Sequence, residues 1–155
     1  MFEIKRTDEA AIAELQQLLE RCSDYYELHE GRPAPSTAAA DEWDTVPQTV
    51  PRDTLHVLIW REGDRMIGEM TLLFNYPKPN EWWVALFVVD PEFRSRGYGR
   101  RFCEEAFGSL SGESVVIAVD EQNPRGERFW RSRGFVENRR VDHNNHRLII
   151  MRRAL

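Results

Sequence analysis

VVDPEFRSRGYGRRF, residues 88–102, runs from an apolar strand ending into a knot of arginines around two glycines, in a chain whose net charge is −5. The preceding apolar run, WWVALFVV at 82–89, has the length of a buried strand, and Asp90-Pro91 ends it. From Gly97 onward the pattern turns helical, with Phe102, Ala106, Phe107 and Leu110 on one face and Cys103 beside them, until Ser111-Gly112 stops it. A helix start carries backbone N–H groups with no internal partner and the positive end of the helix dipole, so it accepts anionic oxygen. Gly97 and Gly99 let that backbone come close to a guest. Arg94, Arg96, Arg100 and Arg101 add guanidinium groups suited to two-pronged contact with phosphate, so the expected guest is a phosphate or pyrophosphate.

Two familiar phosphate loops do not fit. A dinucleotide-binding turn needs a small residue where this chain has Phe102, although Asp120 stands near the place of its ribose-binding acid. A nucleotide triphosphatase loop needs Gly-Lys-Ser or Gly-Lys-Thr, which is absent. ESVVIAVD, 113–120, is the next strand, and strand, helix and strand in this order predict a right-handed parallel crossover.

Upstream, FEIKR at 2–6 alternates as a short strand, and Thr7-Asp8-Glu9 supplies a cap and first turn for a helix. Its stripe is Ile12, Leu15, Leu18, Leu19 and Cys22, which makes Cys22 a core residue. The stretch 23–53 begins as a second helix and then loses its period among prolines, alanines and carboxylates, which predicts a long surface connection. LHVLIW at 55–60, MIGEMTLLFNY at 66–76 and WWVALFVV read as adjacent antiparallel strands. PRGERFWRSRGF is a short helix beginning after Asn123 and ended by Gly134, and two final strands flank the Asn144-Asn145 turn. His143 and His146 border that turn and have no further ligand near them in sequence, so no metal site is expected.

VVDPEFRSRGYGRRF is similar to the acyl-CoA signature of the GNAT superfamily of N-acetyltransferases, whose form is Arg or Gln, two residues, Gly, one residue, then Gly or Ala. Here it reads Arg94-Ser95-Arg96-Gly97-Tyr98-Gly99. NPRGERFWRSRGF resembles a second element of that family, from Asn123 through the aromatic pair Phe129-Trp130 to Gly134-Phe135. The two elements cover residues 86–135, about a third of the chain. The resemblance implies an α/β (α+β) fold: a mixed, mostly antiparallel sheet of six to seven strands, flanked by about four helices, with a parallel pair splayed at the cofactor cleft. Residues 1–155 would form a single domain.

The resemblance further implies that acetyl-CoA is bound as acyl donor. Its pantetheine arm would lie along Phe87, Val88 and Val89, and its pyrophosphate on the backbone from Ser95 through Arg96, Gly97, Tyr98 and Gly99 to Arg100, beside Arg94. Asn123, Phe129 and Trp130 would touch the same ligand, and an N–H near Val88 would face the thioester carbonyl. The family often has a tyrosine as general acid where this chain has Trp130, and an indole cannot supply a proton at useful pH, so the acid stays open among Tyr98, Tyr76, Tyr25 and Tyr26. The base stays open as well. Glu81, Asp120 and Glu69 are candidates, with Glu121 beside Asp120.

The implied reaction is transfer of an acetyl group to a primary amine of a small molecule or peptide by direct attack on the thioester. The alternative is a module that binds acyl-CoA without catalysis. Asp24, Tyr25 and Tyr26, in an acidic and aromatic stretch, are the candidate contacts for a cationic acceptor. A pI of 5.4 and the absence of basic stripes beyond the two signatures argue against nucleic acid as partner. No apolar run reaches membrane-spanning length, the opening residues lack a secretion-signal pattern, and only two cysteines occur, so a cytoplasmic protein is expected. The C-terminal edge strands leave room for a homodimer.

Overall fold

The structure, a computed structural model, describes residues 1–44 and 46–155. Thr45, inside the stretch read as a surface connection, lies outside the described residues. Seven strands form one sheet in the order β1 (Phe2–Ile4), β2 (Leu55–Glu62), β3 (Arg65–Phe74), β4 (Glu81–Val89), β5 (Ser114–Asp120), β7 (His146–Ala154) and β6 (Val136–His143). Every neighbouring pair is antiparallel except β4–β5. Five α-helices occur among the described residues: α1 (Glu9–Arg21), α2 (Ser23–Glu30), α3 (Ala38–Asp41), α4 (Tyr98–Gly108) and α5 (Pro124–Ser132).

The helices divide between the two faces of the sheet. Phe102, Cys103, Ala106 and Phe107 of α4 and Trp130 of α5 pack on Trp60, Ile67, Met70, Leu72, Val115 and Ile117. Phe102 stacks on Trp60 with ring centroids 4.6 Å apart. On the opposite face Leu15, Leu18, Leu19 and Cys22 of α1 and Tyr26 of α2 cover Val57, Ile59, Met66 and Leu73. The expected cap of α1 is formed by Asp8, whose carboxylate accepts from Ala11 N at 3.1 Å. Cys22 is buried, as its place on the stripe predicts.

The stretch 23–53 departs from expectation. It is not a wholly exposed connection, because Ala38 and Ala39 are buried against α1 and Glu42 is buried beside them. Small side chains let this backbone close on the helix. Gln16 satisfies the backbone groups that this removes from water, donating to Pro35 O at 2.9 Å and accepting from Ala39 N at 3.0 Å.

β4 and β5 pair only from Glu81–Ser114 to Val84–Ile117. At that closed end Glu81 is 2% exposed, and its carboxylate is gripped by both terminal nitrogens of Arg152 from β7, with Ser114 Oγ at 3.3 Å. The register between β3 and β4 then slips by one residue, Thr71 opposing Leu86 while Leu72 opposes Val84, so Ala85 is a bulge. One extra residue reverses the facing of everything after it. Trp82 and Val84 face α4 and α5 before the bulge, whereas Leu86 and Val88 face α1 after it and Phe87 and Val89 turn to the α4 side. Removing the cation from a buried pair leaves an uncompensated charge, so Arg152→Ala should destabilise the fold by about 3 kcal/mol or more, read as a lowered urea midpoint.

Candidate active site

Past Val84 and Ile117 no ladder joins β4 and β5, and a cleft of about 490 Å³ opens between them. The β5-facing backbone groups of β4 in this stretch have no strand partner, so an extended, amide-bearing ligand can pair with them. On one side the cleft is walled by the start of α4 and by α5, and on the other by Asp24, Tyr25, Leu28 and His29 of α2. Because these helices cover opposite faces of the sheet, the cleft is reached from both.

The loop before α4 is shaped as the sequence predicts. Gly97 is its N-cap at φ +85°, a left-handed conformation that suits glycine, and no side chain caps the helix. Ser95 is also left-handed, at φ +62°. A Cβ on Gly99 would stand 3.3 Å from the Phe129 ring, so the second glycine lets α4 and α5 meet at the cleft wall. The anion-accepting end of α4 therefore opens into the cleft, and Arg100 lines it.

Of the residues expected at the cofactor, all but Arg96 and Tyr98 line this cleft. Arg96 is exposed and lies over the Phe93 ring. Tyr98 packs against Phe93 and Phe102 with the Arg101 guanidinium 4.8 Å over its ring. Arg94 lines the cleft, but its guanidinium is engaged by both carboxylate oxygens of Asp24 and by Val89 O, at 2.8 Å from Nε. This pairing holds the Asp24 carboxyl below the usual carboxylate range and ties α2 to the end of β4. Asp24 and Arg94, expected on different ligands, are thus brought together. Asn123 caps α5 through Oδ1, accepting from Gly126 N at 2.8 Å. Trp130 is buried against Phe87, Phe129 and Phe135.

The three base candidates are scattered. Glu81 is locked to Arg152 at the closed end of the strand pair and does not line the cleft. Glu69 is fully buried on the α1 side of β3, opposite Val88, and also lies outside the lining. Asp120 does line the cleft, yet it is 1% exposed and both its oxygens are used, Oδ1 by Gln122 N at 2.8 Å and Oδ2 by His146 Nδ1. Glu121 turns away to Arg140. Of the acceptor candidates Tyr25 lines the cleft with Asp24, while Tyr26 is buried in the α1 core. The sequence reading passed over His29, which lines the cleft with its Nδ1 3.7 Å from Asp120 Oδ2. Its position four residues after Tyr25, on the same helical stripe, was the available signal.

A helix start at the mouth of a passage between two diverging parallel strands is suited to an elongated, phosphate-bearing ligand. The model of the acetyltransferase (GNAT) family matches residues 12–135, and the chain belongs to that family. Its fold is similar to an acetyltransferase from Thermus thermophilus, at a TM-score of 0.79 and 17% identity, covering 99% of this chain and 94% of that one. It is also similar to the ribosomal-protein-S18-alanine N-acetyltransferase from Escherichia coli, at 0.71 and 15% identity over 99% and 91% of the two chains. An aminoglycoside 6'-N-acetyltransferase complexed with coenzyme A matches at 0.72 and 14% identity over 99% and 95%. No curated protein sequence matches the chain significantly. No helix among the described residues is long and apolar enough to cross a membrane.

Behind the α2 wall of the cleft, Glu42 and Glu69 lie buried around Thr71, whose hydroxyl is 2.5 Å from Glu69 Oε1. Burial, then the neighbouring Glu42 charge, pushes the Glu69 carboxyl well above its ordinary range. Burial raises Glu42 from 4.5 to about 7, against a hydrogen bond from Thr71 that lowers it. The folded protein therefore holds a proton that the unfolded chain releases between these values, and stability falls as pH rises through that window. Glu42→Gln should flatten this slope, measured as urea midpoints at pH 5 and pH 7.5.

Proposed function

We propose that the protein transfers the acetyl group of acetyl-CoA to a primary amine of a small molecule or peptide. The observation that carries this reading is the two-sided cleft: an anion-accepting helix start opens into it from one face of the sheet, and the aromatic wall of α2 borders it from the other. The pyrophosphate is assigned to the backbone of Ser95–Arg100 with Arg100 beside it, and the pantetheine arm to the unpaired edge of β4 at Phe87–Val89. Val88, just beyond the bulge, is assigned the N–H that meets the thioester carbonyl. The acceptor enters past Tyr25, whose ring offers a face to an ammonium group. Arg94 and Asp24 then act together as a strut between the two ligand sites. A cytoplasmic location belongs to this reading, as a compartment in which the acyl donor is available. Among the solved relatives, two act on an alanine and on an aminoglycoside by their descriptions, so peptide and small-molecule acceptors both belong in the screen.

Acetyl-CoA should raise the melting temperature of the full chain in a concentration-dependent way. Gly97→Glu and the surface variant Arg100→Glu should each weaken binding at least tenfold by placing a carboxylate at the phosphate site. A panel of spermidine, phenethylamine, kanamycin and an alanine-first peptide, with released thiol as readout, tests for transfer. Absence of any thermal shift with acetyl-CoA in folded protein would overturn the reading.

A further inference from the structure

Acetyl transfer to an amine requires that the ammonium group of the acceptor lose a proton before it can attack, and none of the carboxylates expected from the sequence as the base stands open in the cleft. Resting on the function proposed above, we propose that His29 is the group that takes this proton, held for the purpose by Asp120, with His146 fixing Asp120 from behind. His29 lies in the last turn of α2 and lines the acceptor-side wall. Its Nδ1 is 3.7 Å from Asp120 Oδ2, so with that nitrogen turned to the carboxylate, Nε2 is the nitrogen that can accept a proton from the cleft. The Tyr25 ring lies against the imidazole with centroids 4.4 Å apart and limits its rotation.

Asp120 is suited to orienting a base rather than to being one. It stands at the open end of β5, its Oδ1 accepts from Gln122 N, and its Oδ2 lies against His146 Nδ1 from β7. A carboxylate so held keeps its direction, which is what an imidazolium formed beside it requires. The charged and titratable groups facing His29 are Asp120 from β5, His146 from β7, and Glu30 and Tyr25 from its own helix. Burial lowers the imidazole's pKa, Asp120 opposes this, His146 adds to the lowering and Glu30 opposes it, and the balance is downward. This balance favours the neutral ring, which is the form able to accept a proton.

The step balances. One N–H bond of the ammonium breaks toward His29 Nε2, and the pair left on nitrogen forms the bond to the acetyl carbon. The carbon–sulfur bond breaks with its electrons on sulfur, and the thiolate takes a second proton from the attacking nitrogen. The products are the amide, the free thiol and an imidazolium that returns its proton to solvent. His146, outside the cleft lining, is a positioning residue.

Two measurements on the full chain decide the matter. In the first, His29→Gln is assayed with the panel amine that is turned over fastest. Its kcat/KM should fall 100-fold or more at pH 7 and by less than tenfold at pH 9.5, where more of the amine arrives already neutral, while the thermal shift with acetyl-CoA stays at the wild-type value. His146→Gln should show a smaller loss with the same pH trend. In the second, imidazole resonances are titrated with coenzyme A bound. One should be absent in His29→Gln, should have a midpoint below about 6.5, and should move lower in Asp120→Asn. A pH-independent loss in His29→Gln, no loss at all, a His29 midpoint above 8, or a midpoint unmoved by Asp120→Asn would each overturn the proposal. If no panel amine is acetylated, the titration alone decides. Absence of the acetyl-CoA thermal shift in the wild-type chain would instead count against the proposed function, whereas its loss in His29→Gln alone would overturn the proton role of His29.

Discussion

The cleft depends on β4 and β5 being held together at one end and kept apart at the other. The Glu81–Arg152 pair, with Ser114, fastens three strands where the parallel ladder exists, and the Ala85 bulge then turns β4 away from its neighbour. Neither feature would suffice alone. A parallel pair without the bulge would continue its ladder and close the cleft, while a bulge without the clamp would let the sheet come apart between two halves joined by four residue pairs. The buried ion pair is costly to desolvate, and a well-packed apolar pair could match its stability. Its geometric value lies in directing two strands and a third through one fixed contact.

The bulge has a second consequence. By reversing facing, it puts Phe87 and Val89 on the side of α4 and α5, where they meet Phe129 and Trp130, and puts Val88 on the side of α1, opposite Glu69. The arginine-rich loop then faces the cleft with backbone more than with guanidinium groups. Arg94 is committed to Asp24, Arg96 lies on Phe93 and Arg101 on Tyr98, which leaves Arg100 as the arginine of the signature that is both exposed and at the cleft. A protein of net charge −5 can hold an anion here because the field at the site comes from oriented amides within a few ångströms, not from the molecule's total charge.

What the sequence made readable was whatever is encoded contiguously. The strand periods, the capped start of α1, and the Gly97-Tyr98-Gly99 turn all depend on neighbours within a few positions, and the structure agrees with them. The bulge was hidden because WWVALFVV is apolar at every position, so no alternation marks the place where facing reverses. Glu81 looked available because its partner Arg152 lies on the C-terminal strand, and a carboxylate at a strand start does not reveal which end of that strand stays paired. His29 was hidden for the same reason, since Asp120 and His146 reach it only through the sheet order that places β7 beside β5. The stretch 23–53 lacked a period, yet Ala38 and Ala39 are buried, because alanine burial against a helix leaves no periodic signature in so short a segment.

In the proposed reaction the chemistry of the two substrates is unequal in a way that matches the distribution of titratable groups. A thiolate, judged by a cysteine-like pKa of about 8.5, leaves readily, whereas a lysine-like ammonium at about 10.4 holds its proton against neutral solvent by roughly 4 to 5 kcal/mol. On the leaving-group side the chain places Trp130 and Phe129, which give packing and no transferable proton. Across the cleft, on α2 and at the end of β5, it gathers an imidazole, a buried carboxylate and a second imidazole. For the proposed transfer, an arrangement that leaves the easy departure unassisted and concentrates its proton-handling groups on the opposite wall of the cleft is what a slow deprotonation, rather than a slow expulsion of sulfur, would require of this fold.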